Sequence, residues 1–140
     1  MLNDIKMGIA DKLSGISQAT IYTEKVPQGF NEPCFFIVVS SVNQLKDTGG
    51  RYKLDYNMIV QYFPQSKDLS NEENADMAEH LYSCLEFITV GENVVMGQDL
   101  HNEMVEGVLY FYIRYPIRIV RNSIAAELMG EVKVNAKSGQ

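Results

Sequence analysis

The stretch "RYKLDYNMIVQYF", Arg51 to Phe63, alternates along its length between aromatic or aliphatic residues and mostly polar ones. Such alternation is typical of a β-strand with one buried face, because successive side chains point to opposite sides of the sheet. At about 3.4 Å per residue the strand would reach roughly 40 Å. A compact domain of 140 residues has a radius of gyration of about 14 Å. The length therefore predicts that something outside the domain covers part of the buried face.

Composition indicates one soluble globular domain: the chain has 46% hydrophobic and 21% charged residues and a formal net charge of −6. No apolar run approaches the roughly 18 residues of a membrane span, so we expect no membrane contact. The acidic balance argues against a general nucleic-acid binder, whose affinity would come from neutralising phosphates. The two cysteines, Cys34 and Cys84, cannot form a disulfide framework, which indicates a reducing compartment.

Apolar spacing predicts seven elements in the order α-β-β-β-α-β-β. They are a helix ending near Gly15, strands over residues 19–26, 34–46 and 51–63, a helix from about Ser70 to Ile88, and a final pair of strands that turns at Glu106–Gly107. Ser70 and Glu73 have the spacing of a capping box. The order predicts an α+β domain in which an antiparallel sheet with a long hairpin is covered by two helices.

The long hairpin is predicted to turn at residues 47–50, which places Lys46 opposite Arg51. In this register one face is apolar along the whole hairpin, whereas the other becomes polar toward the turn. The register separates Ser41 from Asn57, which fall on opposite faces. Near the turn the apolar face carries Tyr52, Leu54 and Tyr56. We expect another subunit to cover this part of the face, because so small a domain can hardly do so.

Residues suited to catalysis or metal binding are few. His80 and Cys84 are four apart on the predicted second helix, but a metal site needs three or four ligands, and a buried cysteine explains Cys84 better. Cys34 could pair with His80 or His101 as nucleophile and base, yet no recognisable signature surrounds it. The acidic residues between 72 and 79 lack the calcium-loop pattern and are favoured by the helix dipole. We therefore expect no enzymatic activity, no cofactor and no metal.

The final strand, "VLYFYIRYPIRIV", presents an unusual face on which Tyr110, Tyr112, Arg114, Pro116 and Arg118 alternate with buried apolar residues. Tyrosine interleaved with arginine could stack nucleic-acid bases. The same residue types are also enriched at protein interfaces. The acidic character of the chain favours the protein interface.

The order of the elements resembles that of the tail terminator proteins of tailed bacteriophages, in particular those of prophages and phage-tail-like bacteriocins of Gram-positive bacteria. The stretches that carry the resemblance are the helix "NEENADMAEHLYSCLEFI" and the hairpin "HNEMVEGVLYFYIRYPIRI". The likeness covers roughly residues 1–120, and its most specific part is "NEMVEGVLYFYIRY".

The resemblance implies a structural subunit of a hexameric ring, or collar, at the head-proximal end of the tail tube. Such a ring stops tube polymerisation and docks the head connector, or closes the particle of a headless bacteriocin. The implied partners are further copies of the chain, the tail tube protein and, in contractile tails, the sheath protein. No specific nucleic acid is implied as a partner, and the lumen of such a ring is a passage for DNA. The implied location is the virion or tail-like particle, assembled in the bacterial cytoplasm.

Residues 122–140 follow the predicted domain, residues 1–121, and we interpret them as a C-terminal arm that lies on a neighbouring subunit or on the tube. Ile124, Leu128 and Met129 at helical spacing, with Val132 and Val134 at strand spacing, would hold it there. The predicted subunit interface comprises Tyr52, Leu54, Tyr56, Tyr110, Tyr112, Arg114, Arg118, Ile124 and Leu128. An alternative that the sequence leaves open is a small-molecule-binding or regulatory α+β domain, which would use the uncovered face of the sheet as a pocket.

Overall fold

The computed structural model describes residues 1–24 and 29–121; the predicted arm, residues 122–140, lies outside the described residues. The elements are α1 (Leu2–Ser14), β1 (Thr20–Tyr22), β2 (Cys34–Lys46), β3 (Arg51–Phe63), α2 (Ser70–Cys84), β4 (Phe87–Val90), β5 (Asn93–Met96), β6 (Gln98–Val105) and β7 (Val108–Val120). The predicted α+β class and order of the main elements are confirmed, and β4 and β5 form an additional short hairpin.

The main sheet has five strands in the order β1-β2-β3-β7-β6. Strands β6 and β7 are antiparallel, as predicted. Strand β1, however, runs parallel to β2, with Thr20 opposite Cys34 and Tyr22 opposite Phe36. The sheet is therefore mixed: the predicted antiparallel hairpins are present, and β1 adds a parallel edge strand that the prediction of an antiparallel sheet did not include. Parallel strands need a connection longer than a tight hairpin, because the chain must return to the starting end of the first strand before the second begins. The segment between β1 and β2 is long enough for this.

The second helix is shorter than predicted, because it ends at Cys84 and Leu85 serves as its C-cap. Ile88, which the prediction placed on the helix, lies in β4 and is fully buried there. Gly91 has a φ of 63° and allows the tight turn from β4 to β5. The spacing of Ile88 fits the buried face of the predicted helix, and the residue is also buried in the observed strand. Its spacing alone therefore could not show where the helix ends.

The described residues belong to two compact units. The larger unit comprises residues 1–42 and 55–116, and the smaller unit comprises residues 43–54 and the chain from residue 117 onward, of which the structure describes residues 117–121. Strands β2, β3 and β7 each contribute residues to both units.

The core of the larger unit is built from the apolar stripe of α1 and the inward face of the sheet. Ile5, Ile9 and Leu13 are fully buried. Helix α1 packs against β4 at Gly8, where a Cβ atom would lie 2.5 Å from the carbonyl oxygen of Thr89. This close approach leaves no room for a side chain, so the position requires glycine.

Strand β7, which lies between β3 and β6, is anchored to the end of α2 by a buried tyrosine. The Tyr115 hydroxyl donates a hydrogen bond of 2.7 Å to the carbonyl oxygen of Leu85. Burial strongly raises the pKa of Tyr115, so the hydroxyl keeps its proton and remains a donor. On strands β2 and β3, Phe35 and Tyr62 pack with their ring centroids 4.9 Å apart.

The hairpin turn in the smaller unit differs from the predicted register by one residue. The N–H of Asp47 donates to the Arg51 carbonyl oxygen at 2.7 Å, and the N–H of Arg51 donates to the Thr48 carbonyl oxygen at 3.3 Å. Two residues, Asp47 and Thr48, thus lie opposite Arg51, in place of the predicted Lys46. Such an extra residue is a β-bulge, which a regular alternation of side chains does not reveal.

The same one-residue offset from the predicted register is found at Ser41 and Asn57 in the larger unit. The Asn57 side-chain amide donates a hydrogen bond of 3.1 Å to the Ser41 hydroxyl, although the prediction placed these residues on opposite faces. A shift of one residue between paired strands exchanges the faces on which side chains meet. The predicted facing pairs therefore do not hold at this position.

The loop before α2 is organised by Glu73. Its carboxylate accepts hydrogen bonds from the Tyr62 hydroxyl at 2.6 Å and from the N–H groups of Gln65 and Ser66 at 2.9 and 3.0 Å. The predicted capping box does not form, since α2 begins at Ser70 with no side-chain cap. Burial acts to raise the pKa of Glu73, but the three hydrogen bonds outweigh it and hold the pKa below its ordinary value.

We expect Glu73→Gln to lower the free energy of unfolding at neutral pH by about 1–2 kcal/mol, because the hydrogen bonds lose their charged acceptor. A carboxylate whose pKa is depressed by folding stabilises fully above its unfolded pKa of about 4.3, and this contribution is lost as the pH falls through the folded value. The difference between wild type and variant should therefore shrink on acidification.

Urea denaturation at neutral pH and at about pH 3.5 measures this difference. Glu72→Gln is the matched control, since Glu72 is exposed one residue away. Equal stabilities of the two variants at neutral pH would contradict the role assigned to Glu73.

Candidate assembly interface

The outward side of β6 and β7 carries paired polar residues. His101 lies opposite Tyr112 and Glu103 opposite Tyr110, and the register shifts between Gln98 and His101. Asp99 lies within this bulge and has a φ of 55°. A bulge changes the direction of the side chains within it. Here the Asp99 carboxylate accepts a hydrogen bond of 2.9 Å from Nε of Arg114.

The Arg114 guanidinium links three neighbouring strands. In addition to Asp99 on β6, it contacts Asp55 on β3, with Nη1 donating to Oδ1 at 3.1 Å. The hydrogen bond to Asp99, joined by the contact with Asp55 and opposed by partial burial, raises the pKa of Arg114 above its ordinary value. The carboxylates that Arg114 meets thus belong to its own chain.

The tyrosines of the same face are likewise engaged within the chain. The Tyr112 hydroxyl donates a hydrogen bond of 2.6 Å to Glu103, which raises the pKa of Tyr112. The His101 ring stacks on Tyr112 with centroids 4.7 Å apart and an interplanar angle of 10°. Tyr110 is half-buried. This part of the predicted interface is therefore a preorganised surface whose polar groups are largely satisfied.

The smaller unit holds a cleft of about 340 Å³, lined by Asp47, Arg51, Tyr52, Lys53, Arg118, Ile119 and Val120. Four of these seven residues are charged. Small-molecule pockets are usually lined mainly by apolar side chains. Arg118 is exposed and Tyr52 is half-buried. The cleft therefore brings together two predicted interface residues in a charged, solvent-facing setting.

Arg121 fixes the end of β7 beside the hairpin turn. Its guanidinium lies 4.9 Å from the centroid of the Tyr52 ring and donates a hydrogen bond of 2.7 Å to the Gln44 side chain. Its N–H donates to the Gly50 carbonyl oxygen at 2.8 Å. Gly50 has a φ of 73°, and a Cβ atom there would lie 2.7 Å from the Arg121 carbonyl oxygen. The turn therefore needs glycine both for its backbone conformation and for this contact.

Two residues of the predicted interface lie in the interior of the single chain. Leu54 is 8% and Tyr56 is 7% exposed. The part of the hairpin face that another subunit was expected to cover is thus already covered at these positions. A charge introduced at Leu54 would be buried within the chain itself. Ile124 and Leu128 fall outside the described residues.

Sequence reasoning did not identify Asp55, Asp99 and Arg121. Asp99 reaches Arg114 because of a bulge, which the residue pattern does not signal. Asp55 lies on the polar face of β3, where a solvated aspartate is the ordinary interpretation. For Arg121, the sequence offered one indication: it follows Arg114 and Arg118 at close spacing near the end of β7.

The buried thiol of Cys34 is poorly suited to nucleophilic chemistry. Burial, together with the nearby charge of Glu32, raises its pKa to about 11, so very little thiolate forms at neutral pH. Within residues 1–24 and 29–121, no three His, Cys, Asp or Glu side chains come together in a way that could hold a metal ion. In the same ranges, no helix is long and apolar enough to cross a membrane.

A family model described as "Phage tail terminator protein" matches residues 4–127. This match covers most of the chain, and the chain belongs to the phage tail terminator protein family. The resemblance found in the sequence is thereby confirmed. No curated protein matches the chain significantly. The family is structural, and membership implies a virion-associated protein that associates with other tail proteins.

We expect Arg114→Ala to lower the free energy of unfolding by about 1–2 kcal/mol, a range reduced for the partial solvent exposure of the side chain. The mostly buried Asp55 carboxylate loses a cationic partner in this variant. Arg118→Ala is the control on the same strand and should change stability by less than about 0.5 kcal/mol. Urea denaturation of both variants tests this, and similar losses for the two would contradict the assigned difference.

Proposed function

We propose that this chain is the tail terminator subunit that assembles into a hexameric ring, or collar, at the head-proximal end of the tail tube. The ring ends tube polymerisation and either joins the tail to the head connector or closes a headless, bacteriocin-like particle. Its role is structural and not enzymatic. Its partners are further copies of itself, the tube protein and, in a contractile tail, the sheath protein, and assembly takes place in the bacterial cytoplasm.

The observation that best supports a ring is the unpaired edge of β2 in the larger unit. Strand β1 pairs with Cys34, Phe35 and Phe36. Beyond these residues, no strand among the described parts of the chain pairs with β2 on that side. Val38 and Val42 along this stretch are 39% and 46% exposed. An open apolar edge is a ready template for another chain, so it supports a subunit that is completed by a neighbour.

The negative charge of the chain supports a ring through which DNA can pass. A lumen of like charge repels the phosphate backbone, so the DNA does not bind as it moves. The chain's net charge of −6 suits such a passage.

We expect the double variant Val38→Lys and Val42→Lys to fold normally and to lose ring assembly. Both side chains are exposed, so the monomer loses little, whereas lysines on an edge strand oppose pairing with a second chain. Native mass spectrometry and electron microscopy of the chain expressed with its tube protein measure assembly. The variant should give uncapped tubes of uncontrolled length.

The control for this variant is Val94→Lys in β5, because Val94 is 69% exposed and lies in the separate two-stranded sheet. The control should form rings and terminate tubes as the wild type does. Rings of normal mass from the Val38 and Val42 double variant would contradict the proposed use of the β2 edge.

Residues 122–140 form, in this proposal, an arm that contacts a neighbouring subunit or the tube. Deleting residues 123–140 should leave a folded domain that no longer terminates tubes, because ordering a polar terminus requires contacts that hold it. Circular dichroism tests the fold, and electron microscopy of assembled particles tests tube length. Tubes of normal length with a stable cap after the deletion would refute the arm.

A further inference from the structure

The basic residues of the chain are concentrated in the smaller unit. The described residues of this unit, 43–54 and 117–121, include five of the chain's 12 lysines and arginines and one of its 18 acidic residues. Their formal charge is therefore +4 within a chain whose net charge is −6. A basic surface on an acidic protein indicates a partner surface of opposite charge.

The cleft of the smaller unit places several of these basic side chains around one concave surface. Arg51 and Arg118 are exposed on its rim, around the half-buried ring of Tyr52. Arg121 holds the end of β7 to the turn through its side chain and its backbone. The arginines therefore project from a fixed frame, which lowers the cost of ordering them when a partner binds.

Helix α2 offers a complementary surface on the larger unit. Glu72, Asp76 and Glu79 are exposed and follow the i, i+4, i+7 spacing of one helix face. The helix contains no lysine or arginine. Within the described residues, no ion pair uses any of these three carboxylates. The neighbouring Glu73 carboxylate accepts hydrogen bonds from Tyr62 and from the loop residues Gln65 and Ser66, so it does not contribute to this face.

We propose that the arginine-rich cleft of one subunit docks on the acidic face of α2 in the next subunit. The inference rests on the proposed ring and names the contact between its subunits. The two surfaces are different patches of the same chain, so the contact is head-to-tail, the type that closes into a ring when the rotation between subunits permits. Arginine and tyrosine at the centre of such a contact are the residues that commonly dominate interface energetics.

The test is a charge exchange within one chain. The variant Arg51→Glu with Arg118→Glu and the variant Glu72→Lys with Glu79→Lys each place like charges in contact and should weaken ring assembly by at least about 100-fold. The chain that carries all four substitutions keeps the net charge of −6 and restores opposite charges, so it should assemble again. The matched control is Asp11→Lys with Glu92→Lys, two exposed acidic positions outside α2.

Analytical ultracentrifugation, with and without the tube protein, measures assembly, and circular dichroism verifies the fold of each variant. Assembly of the wild type should weaken as NaCl rises from about 50 to about 500 mM, because salt screens the contact. Failure of the fourfold variant to assemble, or assembly of either double variant at wild-type strength, would overturn the proposed contact.

If the cleft binds the tube protein or DNA in place of a second subunit, the variants behave differently. If the arginine variant forms normal rings but no longer caps tubes, the tube protein is the occupant and the proposal is overturned. The same holds if the arginine variant loses binding to a short DNA duplex at physiological salt while its rings are unchanged. A wild-type chain that forms no ring even with tube protein refutes the proposed function itself, which is a distinct outcome.

Discussion

Burial of one face of β7 is the constraint on which the rest of the fold depends. This strand lies between β3 and β6 in the sheet, and Leu109, Phe111 and Tyr115 on its inner face are fully inaccessible to solvent. Because side chains alternate along a strand, burying this face fixes the opposite face as the outer surface. Arg114 is thereby placed between two neighbouring strands, where Asp55 and Asp99 meet it. The same alternation that builds the core therefore also positions the charged residues of the surface.

The features that depend on side-chain periodicity were predictable from the sequence. The apolar stripe of α1, the long strands β2, β3 and β7 and the α+β class all follow from spacing. What could not be predicted depends on irregular backbone. The bulges at Asp47–Thr48 and around Asp99 shift the register, and a periodic pattern contains no information about such a shift. The parallel direction of β1 depends on the path of a connecting loop, which residue types do not specify.

The outer surface of β7 was predictable in its residue types but less so in the contacts that its residues make. The alternation of tyrosine and arginine correctly placed Tyr110, Tyr112 and Arg114 on the outer face of β7. Whether an exposed arginine already has a partner is decided by residues distant in sequence, and Asp55 is 59 positions away from Arg114. Leu54 and Tyr56 were assigned to an interface because of strand length, yet both are buried within the chain. Strand length alone thus does not determine how much of a face the chain leaves uncovered.

The separation of charge within the chain addresses a difficulty that the proposed acidic ring would meet. Subunits that each carry a net charge of −6 repel one another if the charge is spread evenly. In the proposed ring, the basic residues within 43–54 and 117–121 would provide a region of attraction between copies, and they leave the rest of the chain more acidic than the net charge suggests. In the proposed subunit contact, opposite charges would interact at short distance with little screening, whereas acidic residues that face the proposed lumen would repel the phosphates of DNA. One distribution of charge can therefore favour assembly of the subunits and passage of DNA together.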